Sequence, residues 1–382
     1  MTPRHFTNPI SRVLPTLMIV LGCAAQVHGQ TESSLAGVEE SEILKQIERL
    51  AAPERAVKQD AVNQLLMTGE PGLKLLQSRS AGVSPAHREL LQSLIRELVR
   101  TCFVERLKRL EENRTAESAA GIPEWSRFEQ LVGSSPEDIS RFIRLVKSER
   151  QLFATSAFQP RQLTAQLESR AGAVLQSTEK APVMIEEFSL DSFAALLLLA
   201  GNKDVRLRAA SASISPVLLH KEFLEAATKK GGEWYLRLAG SYILRGRISM
   251  EYPLAFASKT KLPEGITLAR DVLKNSLRAS HGEPAMLLLL ENGAVEDIAL
   301  LESLFDNRGR LFVSRIRTYT VYNGDFALAT AIVMRGKDPR DFGFRSMDPR
   351  TVPFRVTVES AGFYSEADRI AAREAYRDKF GK

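Results

Sequence analysis

The sequence predicts an all-α fold: an α-solenoid or superhelix of short antiparallel helix pairs, ending in an irregular C-terminal cap with room for a little β-structure. From residue 40 onward, apolar side chains recur at three- and four-residue spacing, as on one face of a helix. Glycine repeatedly stands where such a segment ends, and proline stands where one begins, as at Pro85, Pro136, Pro216, Pro263 and Pro284. Each helix has one apolar face and no strand to cover it, so the helices are expected to pack on each other.

Residues 1–29 are predicted to be a signal peptide. Arg4 and Arg12 precede the apolar run 13–21, and small residues follow that run. No acidic residue precedes Glu32. This pattern is typical of a secretory signal. The apolar run is shorter than the roughly 20 residues that a membrane-spanning helix needs. The protein is therefore expected to be exported.

Two processing routes fit this segment. Val27 and Gly29 suit the −3 and −1 positions of a signal peptidase site, which would release the protein into the periplasm or the extracellular space. The run VLGC at 20–23 instead resembles the lipobox of bacterial lipoproteins, with Cys23 as the lipidated first residue. Release is the favoured route because Leu21 is unusual in the middle of a lipobox. Membrane association is expected only if Cys23 is lipidated.

Residues 30–112 are predicted to form N-terminal helical repeats. Pro53 and Pro85 precede two of the helical segments. Cys102 lies on an apolar stripe, where a buried thiol is unreactive. The three stripes that define these helices consist of Ile43, Leu44, Ile47, Leu50 and Ala51; Val57, Ala61, Leu65 and Leu66; and Leu91, Leu94, Ile95, Leu98 and Cys102.

Residues 113–188 are predicted to be a helical hairpin region with linkers. Polar, small-residue stretches at 111–123 and 176–189 suit linkers or long loops. Between them, the sequence SPED at 135–138 carries an N-cap serine, a first-turn proline and a capping-box acid. Aromatic side chains on both helices of this hairpin are expected to form its core, namely Trp125, Phe128 and Phe142.

Residues 189–307 are predicted to contain further helical repeats. Three stretches, 47–79, 194–227 and 266–307, share a helix that ends near Gly or Asn and a following acidic or amphipathic helix. Each resembles a HEAT-type repeat, and the chain as a whole resembles secreted bacterial proteins with degenerate HEAT-like repeats. The resemblance implies an α-solenoid that presents an extended surface to a partner.

Residues 308–382 are predicted to form a basic C-terminal cap with a terminal helix. The stretch 308–326 mixes β-branched and aromatic residues and is compatible with a short strand or with another helix. The motif D-P-R-x-x-[G/P]-F occurs at 338–344 and 348–354, where two Asp-Pro turns with an aromatic anchor would fold a loop back on the last repeat. A helix is expected over 365–380, starting at a capping serine.

The positive charge of the chain is concentrated in this cap. The full sequence carries a formal net charge of +6, and residues 307–355 alone hold ten basic side chains against four acidic ones. Nine of the ten are arginine, which contacts carboxylates and phosphates with two nitrogens at once. Either these arginines bind an anionic partner, or Arg–Asp pairs hold the loop together at a solvated edge. The binding residues predicted for the first case are Arg310, Arg315, Arg317, Arg340, Arg345 and Arg350.

Known catalytic and metal-binding patterns are missing from the sequence. It contains no H-E-x-x-H, no phosphate-binding G-x-x-x-x-G-K-[ST], no G-x-G-x-x-G after a strand and no G-x-S-x-G. No nucleic-acid-binding motif is recognised, and no cofactor or metal is expected. His87, His220 and His281 are too widely separated to be paired metal ligands by sequence spacing.

The function predicted from these observations is that of a non-enzymatic, exported binding or scaffold protein for another macromolecule of the cell envelope. The partner is expected to be a protein or an anionic envelope polymer. One alternative is an envelope enzyme of unrecognised type with its site in 308–364. Another is a self-associating structural component, and the oligomeric state stays open.

Overall fold

The computed structural model describes residues 40–79, 85–156, 160–178, 188–245, 249–275, 277, 279–313, 319–346 and 356–381. These residues form nineteen α-helices and one two-stranded hairpin. The predicted all-α class with a small C-terminal β part is thereby confirmed. The chain divides into two compact units, Met1–Glu105 and Arg106–Lys382.

The first helices of the chain pack through the apolar stripes that the sequence predicts. Helix α1 contacts both α2 and α3, and α2 contacts α3. Ile43, Leu50 and Leu65 of these helices are buried, and so is Cys102 on α4. The bounds are α1 (Glu40–Arg49), α2 (Arg55–Met67), α3 (Gly69–Arg79) and α4 (Pro85–Asn113).

The second unit contains the remaining helices. The predicted linker 111–123 contains the end of α4 and the one-turn helix α5 (Ala116–Ala119). Of the second predicted linker, 176–189, residues 179–187 lie outside the described residues. The bounds up to the cap are α5 (Ala116–Ala119), α6 (Trp125–Leu131), α7 (Pro136–Ser148), α8 (Arg150–Ser156), α9 (Pro160–Thr178), α10 (Leu190–Ala200), α11 (Arg208–Val217), α12 (Lys221–Thr228), α13 (Glu233–Ile243), α14 (Glu251–Thr260), α15 (Pro263–Asn275), α16 (Ala279–Asn292) and α17 (Asp297–Glu302).

The C-terminal cap mixes strand and helix. Strands β1 (Arg310–Val313) and β2 (Thr320–Tyr322) pair antiparallel, and α18 (Asn323–Met334) follows β2 directly. The stretch 308–326, compatible from sequence with strand or helix, thus contains both. Two 3₁₀ turns (Pro339–Phe342 and Val358–Ser360) lead to the terminal helix α19 (Glu366–Phe380).

The helices of the second unit contact each other in two rows. One row runs α7, α10, α13, α15 and α17, and the other runs α9, α11, α14, α16 and α18; each helix contacts the next member of its row. Contacts between α10 and α11, between α15 and α16, and between α17 and α18 join the rows. Helices that contact their neighbours in order along two rows are consistent with the predicted α-solenoid.

Two helices of this unit, α10 and α18, are buried over nearly their whole length. Every side chain from Phe193 to Ala200 of α10 is fully buried, and α18 is buried over most of its length. A helix that is apolar all round is stable only when neighbours cover all its sides. In the predicted hairpin of α6 and α7, the rings of Trp125 and Phe128 each lie 5.1 Å from that of Phe142, as the sequence predicts.

Arginine side chains connect helices that are distant in sequence. Arg237 of α13 donates to the carbonyl oxygen of Val132 at 3.0 Å, just after α6 ends. Arg127 of α6 donates to the Leu198 carbonyl near the end of α10 and to Ser241 Oγ at 2.8 Å. The last carbonyls of a helix lack partners within the helix, so these arginines satisfy groups that would otherwise need water or a cap.

The prolines confirm some predicted helix starts and contradict others. Pro85, Pro136 and Pro263 are first residues of helices, and Ser135 forms the predicted capping box with its N3 acid. Pro216 and Pro284, however, lie inside α11 and α16. The prediction that they open helices is wrong because burial of the neighbouring apolar side chains outweighs the lost backbone hydrogen bond. The buried neighbours are Ile214, Val217, Ala285, Met286, Leu288 and Leu289.

Candidate functional site: the arginine-rich cap

The structure describes three of the six arginines predicted to bind a partner. Arg310 begins β1 opposite Tyr322 and is exposed, Arg340 lies within the 3₁₀ turn Pro339–Phe342, and Arg345 follows that turn. The other three predicted residues and the predicted lipidation site lie outside the described residues, namely Arg315, Arg317, Arg350 and Cys23.

The first Asp-Pro-Arg motif folds as a turn with an aromatic anchor, as predicted. The Asp338 side chain accepts a hydrogen bond from the Arg340 backbone N–H at 2.8 Å, and Phe342 and Phe344 are buried. The Arg340 guanidinium also contacts the Asp338 carboxylate, with Nη2 at 2.6 Å from Oδ2. This hydrogen bond from Arg340 holds the pKa of Asp338 below its usual range. Arg340 therefore stabilises the turn itself. The second copy of the motif, 348–354, lies outside the described residues.

Arg345 lies at the edge of a shallow groove between this turn and α19. The groove has a volume of about 220 Å³, and its walls include Phe342 and Asp368. Its floor consists of small side chains from α19, Ala371, Ala372 and Ala375. Because Arg345 is exposed, its charge faces solvent beside an open surface.

A second group of arginines lies on the inner face of the terminal helix. Arg369, Ala372, Arg373 and Tyr376 are all buried and lie on one face of α19. Arg369 Nε donates to Asp325 Oδ1 at 2.7 Å, and Arg373 Nη1 donates to Asp306 Oδ1 at 2.9 Å. The inner face of this helix is therefore held by charge pairs as well as by apolar contacts.

Asp325 is the central carboxylate of this group. Its side chain is completely buried, and it accepts a hydrogen bond from the Tyr322 backbone N–H at 3.0 Å, at the start of α18. Burial raises the pKa of Asp325, and the hydrogen bond from Arg369 opposes this shift. Arg373 Nη2 lies 3.9 Å from Asp325 Oδ1, which is too far for a hydrogen bond.

Glu366, the first residue of α19, joins this group to the surface. Its carboxylate accepts hydrogen bonds from Arg308 and from Arg369. The hydrogen bond from Arg308 contributes most to lowering the pKa of Glu366 to about 2. The guanidinium carbons of Arg308 and Arg369 lie 5.6 Å and 4.7 Å from the ring centre of Tyr322.

A third charge cluster fixes the far end of α19. Tyr376 donates its hydroxyl hydrogen to Glu302 Oε1 at 2.7 Å, and Arg335 donates to both of these groups at the same distance. Burial, together with the hydrogen bond to Glu302, raises the pKa of Tyr376 to about 12. The Arg335 guanidinium also lies 4.8 Å from the ring centre of Phe380. The terminal helix is therefore held to α17 and α18 near both of its ends.

Arg308, counted in the basic stretch 307–355, and Arg369 and Arg373 of α19 are not among the six arginines predicted to bind a partner. The last two follow the spacing of a buried helix stripe, which could have identified them, but arginine at such positions is usually assigned to solvent. The carboxylates that allow their burial come from other elements, up to 67 residues away in sequence. Only the three-dimensional structure brings these partners together.

Neither a metal-binding group nor a membrane-spanning helix is found within the described ranges. No three His, Cys, Asp or Glu side chains there are grouped so as to hold a metal ion. No helix there combines the length and the apolar character needed to cross a bilayer. Comparison of the chain with protein-family models, with curated proteins and with solved structures finds no match.

Proposed function

We propose that this protein is a non-enzymatic, exported helical-repeat protein that binds another macromolecule of the cell envelope. The observation that carries the proposal is the exposure of Arg310 and Arg345 on a cap whose other described arginines are largely held by carboxylates of the same chain. An exposed guanidinium retains its capacity to contact a carboxylate or phosphate with two nitrogens. The cap therefore serves as the binding surface, and the helical rows serve as its support.

The partner chemistry that suits this surface is anionic: an acidic protein or an acidic envelope polymer. The groove beside Arg345 offers aromatic and small apolar side chains next to the charge, including Phe342. A partner with acidic groups along an extended chain can contact the arginines and lie along this groove. The two rows of stacked helix pairs agree with the HEAT-like resemblance, since repeats of this kind present extended surfaces to partners.

A binding experiment with a defined polyanion tests this role. Fluorescent poly-L-glutamate is titrated with the full chain, with the Arg310→Ala/Arg345→Ala variant and with a Lys229→Ala/Lys230→Ala control. The control removes two exposed positive charges outside the cap. We expect salt-sensitive binding that is several-fold weaker in the arginine variant and unchanged in the control. Equal affinities of the two double variants would contradict the proposed surface.

Export is tested on the protein isolated from its native host. Fragmentation of the N-terminal peptide in a mass spectrometer identifies the first residue. A chain that begins at Gln30 supports release into the periplasm or the extracellular space, and one that begins at a lipidated Cys23 supports a membrane-anchored lipoprotein. An N-terminus that still includes residues 1–20 would contradict export by either route.

A further inference from the structure

We propose that Arg308 and Arg369 form a carboxylate-binding site that Glu366 occupies from within, and that an acidic segment of a partner protein binds by displacing Glu366. This inference rests on the proposed function and names one contact through which the cap recognises its partner. It concerns a site that the six arginines predicted from the sequence do not include.

The contact between Arg308 and Glu366 has the geometry of carboxylate recognition. Two guanidinium nitrogens of Arg308 donate to the two carboxylate oxygens, with Nη1 at 2.9 Å from Oε2 and Nη2 bonded to Oε1. Parallel hydrogen bonds of this kind are the strongest and most specific that arginine makes with a carboxylate. Arg369 adds a further hydrogen bond from Nη1 to Oε2. A glutamate or aspartate side chain of another molecule would find the same donors.

One part of the site is fixed, and the other can exchange. The side chains of Arg308 and Glu366 are 48% and 49% exposed, so solvent and a partner can reach their contact. Arg369, by contrast, is only 6% exposed, and its Nε remains bonded to the buried Asp325 when Glu366 leaves. Displacement of Glu366 would therefore leave a prearranged guanidinium behind. An incoming carboxylate would accept the same hydrogen bonds that Glu366 gives up, so the exchange conserves the contacts of both arginines.

The surroundings of the site favour an incoming negative charge. Arg373, buried beside Arg369, bears a third guanidinium, and the charges of Arg308 and Arg369 help to lower its pKa beyond the larger effect of burial. Its Nε and Nη2 have no hydrogen-bond partner in the part of the chain that the structure describes. When Glu366 moves away, these three cations face two paired carboxylates, the buried Asp325 and the exposed Asp306. The resulting excess of positive charge attracts an external carboxylate.

An acidic peptide suits this site because the group that occupies it, the Glu366 carboxylate, is itself an amino-acid side chain. The ring of Tyr322, beside both Arg308 and Arg369, borders the site and helps to fix the guanidinium planes. A partner glutamate that enters from solvent would meet Arg308 first and then Arg369. Neighbouring acidic residues of the same segment would add contacts along the exposed arginines of the cap.

The test compares affinities for a fluorescent hexaglutamate peptide by anisotropy, with hexaglutamine as the uncharged control peptide. Glu366→Gln removes the internal occupant, and we expect about fivefold tighter binding of hexaglutamate, as for the release of one exposed ion pair. The matched control is Glu374→Gln, which removes an exposed acid from the same helix outside the site. We expect less than about a twofold change for it, because it alters only the net charge. Added Arg308→Ala should abolish the gain from Glu366→Gln.

Several outcomes would overturn the inference. It fails if Glu366→Gln and Glu374→Gln increase the affinity equally, because net charge alone would then explain the gain. It also fails if the gain persists without Arg308, or if inorganic phosphate displaces hexaglutamate more effectively than free glutamate does. If the wild-type chain binds hexaglutamate and Glu366→Gln does not change the affinity, displacement of Glu366 is not part of binding. The proposed function would still stand in that case. Arg308→Lys keeps the charge and the fold but removes the paired donors, so unchanged binding by this variant also contradicts the site.

Discussion

Arg369 donates a hydrogen bond to Asp325 across 2.7 Å, and both side chains are almost completely buried. The pair joins α19 to the start of α18, 44 residues earlier in the chain. A buried ion pair stabilises a fold only when its geometry is good and its remaining donors and acceptors are satisfied. Here the Tyr322 backbone N–H and Glu366 satisfy further atoms of the pair.

Breaking this pair should be strongly destabilising. We expect Asp325→Ala to lower the free energy of unfolding by about 3–5 kcal/mol, because it leaves the Arg369 charge buried without its main partner. Urea unfolding of the full chain, followed by circular dichroism, measures the loss. Replacement of both residues, Asp325→Leu with Arg369→Met, should recover a large part of it. A double variant that is no more stable than Asp325→Ala would contradict this interpretation.

The stability of the cap should fall in acid. The pKa of Glu366 is lowered from an ordinary 4.5 to about 2, so its ionised form is favoured by folding. Its stabilising contribution is therefore complete above pH 4.5 and is lost as the pH falls toward 2. Asp325 acts in the opposite direction because its pKa is raised. Thermal unfolding between pH 7 and pH 2.5 should show a shallower decline for Glu366→Gln than for the wild-type chain, and parallel curves would contradict the assignment.

The pKa of Tyr376 should be visible in an alkaline titration. Its value of about 12 means that the neutral phenol is favoured in the folded protein. The contribution to stability is present below pH 10, the ordinary pKa of tyrosine, and is lost as the pH rises through 12. Tyrosinate is followed by its ultraviolet absorbance as the folded protein is titrated with base. The curve for Tyr376→Phe should lack the component that ionises at the highest pH in the wild-type chain. An unchanged titration curve for this variant would contradict the hydrogen-bonded cluster with Glu302 and Arg335.

Because Arg127 lies close to Gly201, we expect alanine to be destabilising at Gly201 but not at Gly172. A Cβ atom added at Gly201 would lie 1.4 Å from Arg127 Nη2, so Gly201→Ala must displace this arginine from its partners on α10 and α13. We expect a loss of about 1–3 kcal/mol in the free energy of unfolding. Gly172→Ala is the matched control because nothing lies within 4 Å of its added Cβ in α9, and it should be neutral or stabilising. Equal effects of the two substitutions would contradict the packing described for Arg127.

The spacing of apolar residues predicts most of the helical fold, because each helix buries one apolar face and the residues of that face recur every three or four positions. The burial of Leu65 and Phe142 follows from such stripes. Pairings over long sequence distances leave no comparable local pattern. Nothing in the sequence near Arg373 indicates that Asp306 is its partner. Of the candidate site, the sequence therefore predicts the excess of arginine but not which arginines are already held by carboxylates.

The arginines that connect the ends of distant helices also bear on mechanics. Packed helices that meet only through apolar side chains can slide past one another by small amounts. Between α6 and α13, the side chains of Arg127 and Arg237 bond directly to backbone carbonyl oxygens near the ends of α10 and α6, and directional hydrogen bonds resist such sliding. Under tension, this segment should deform as one stiff block.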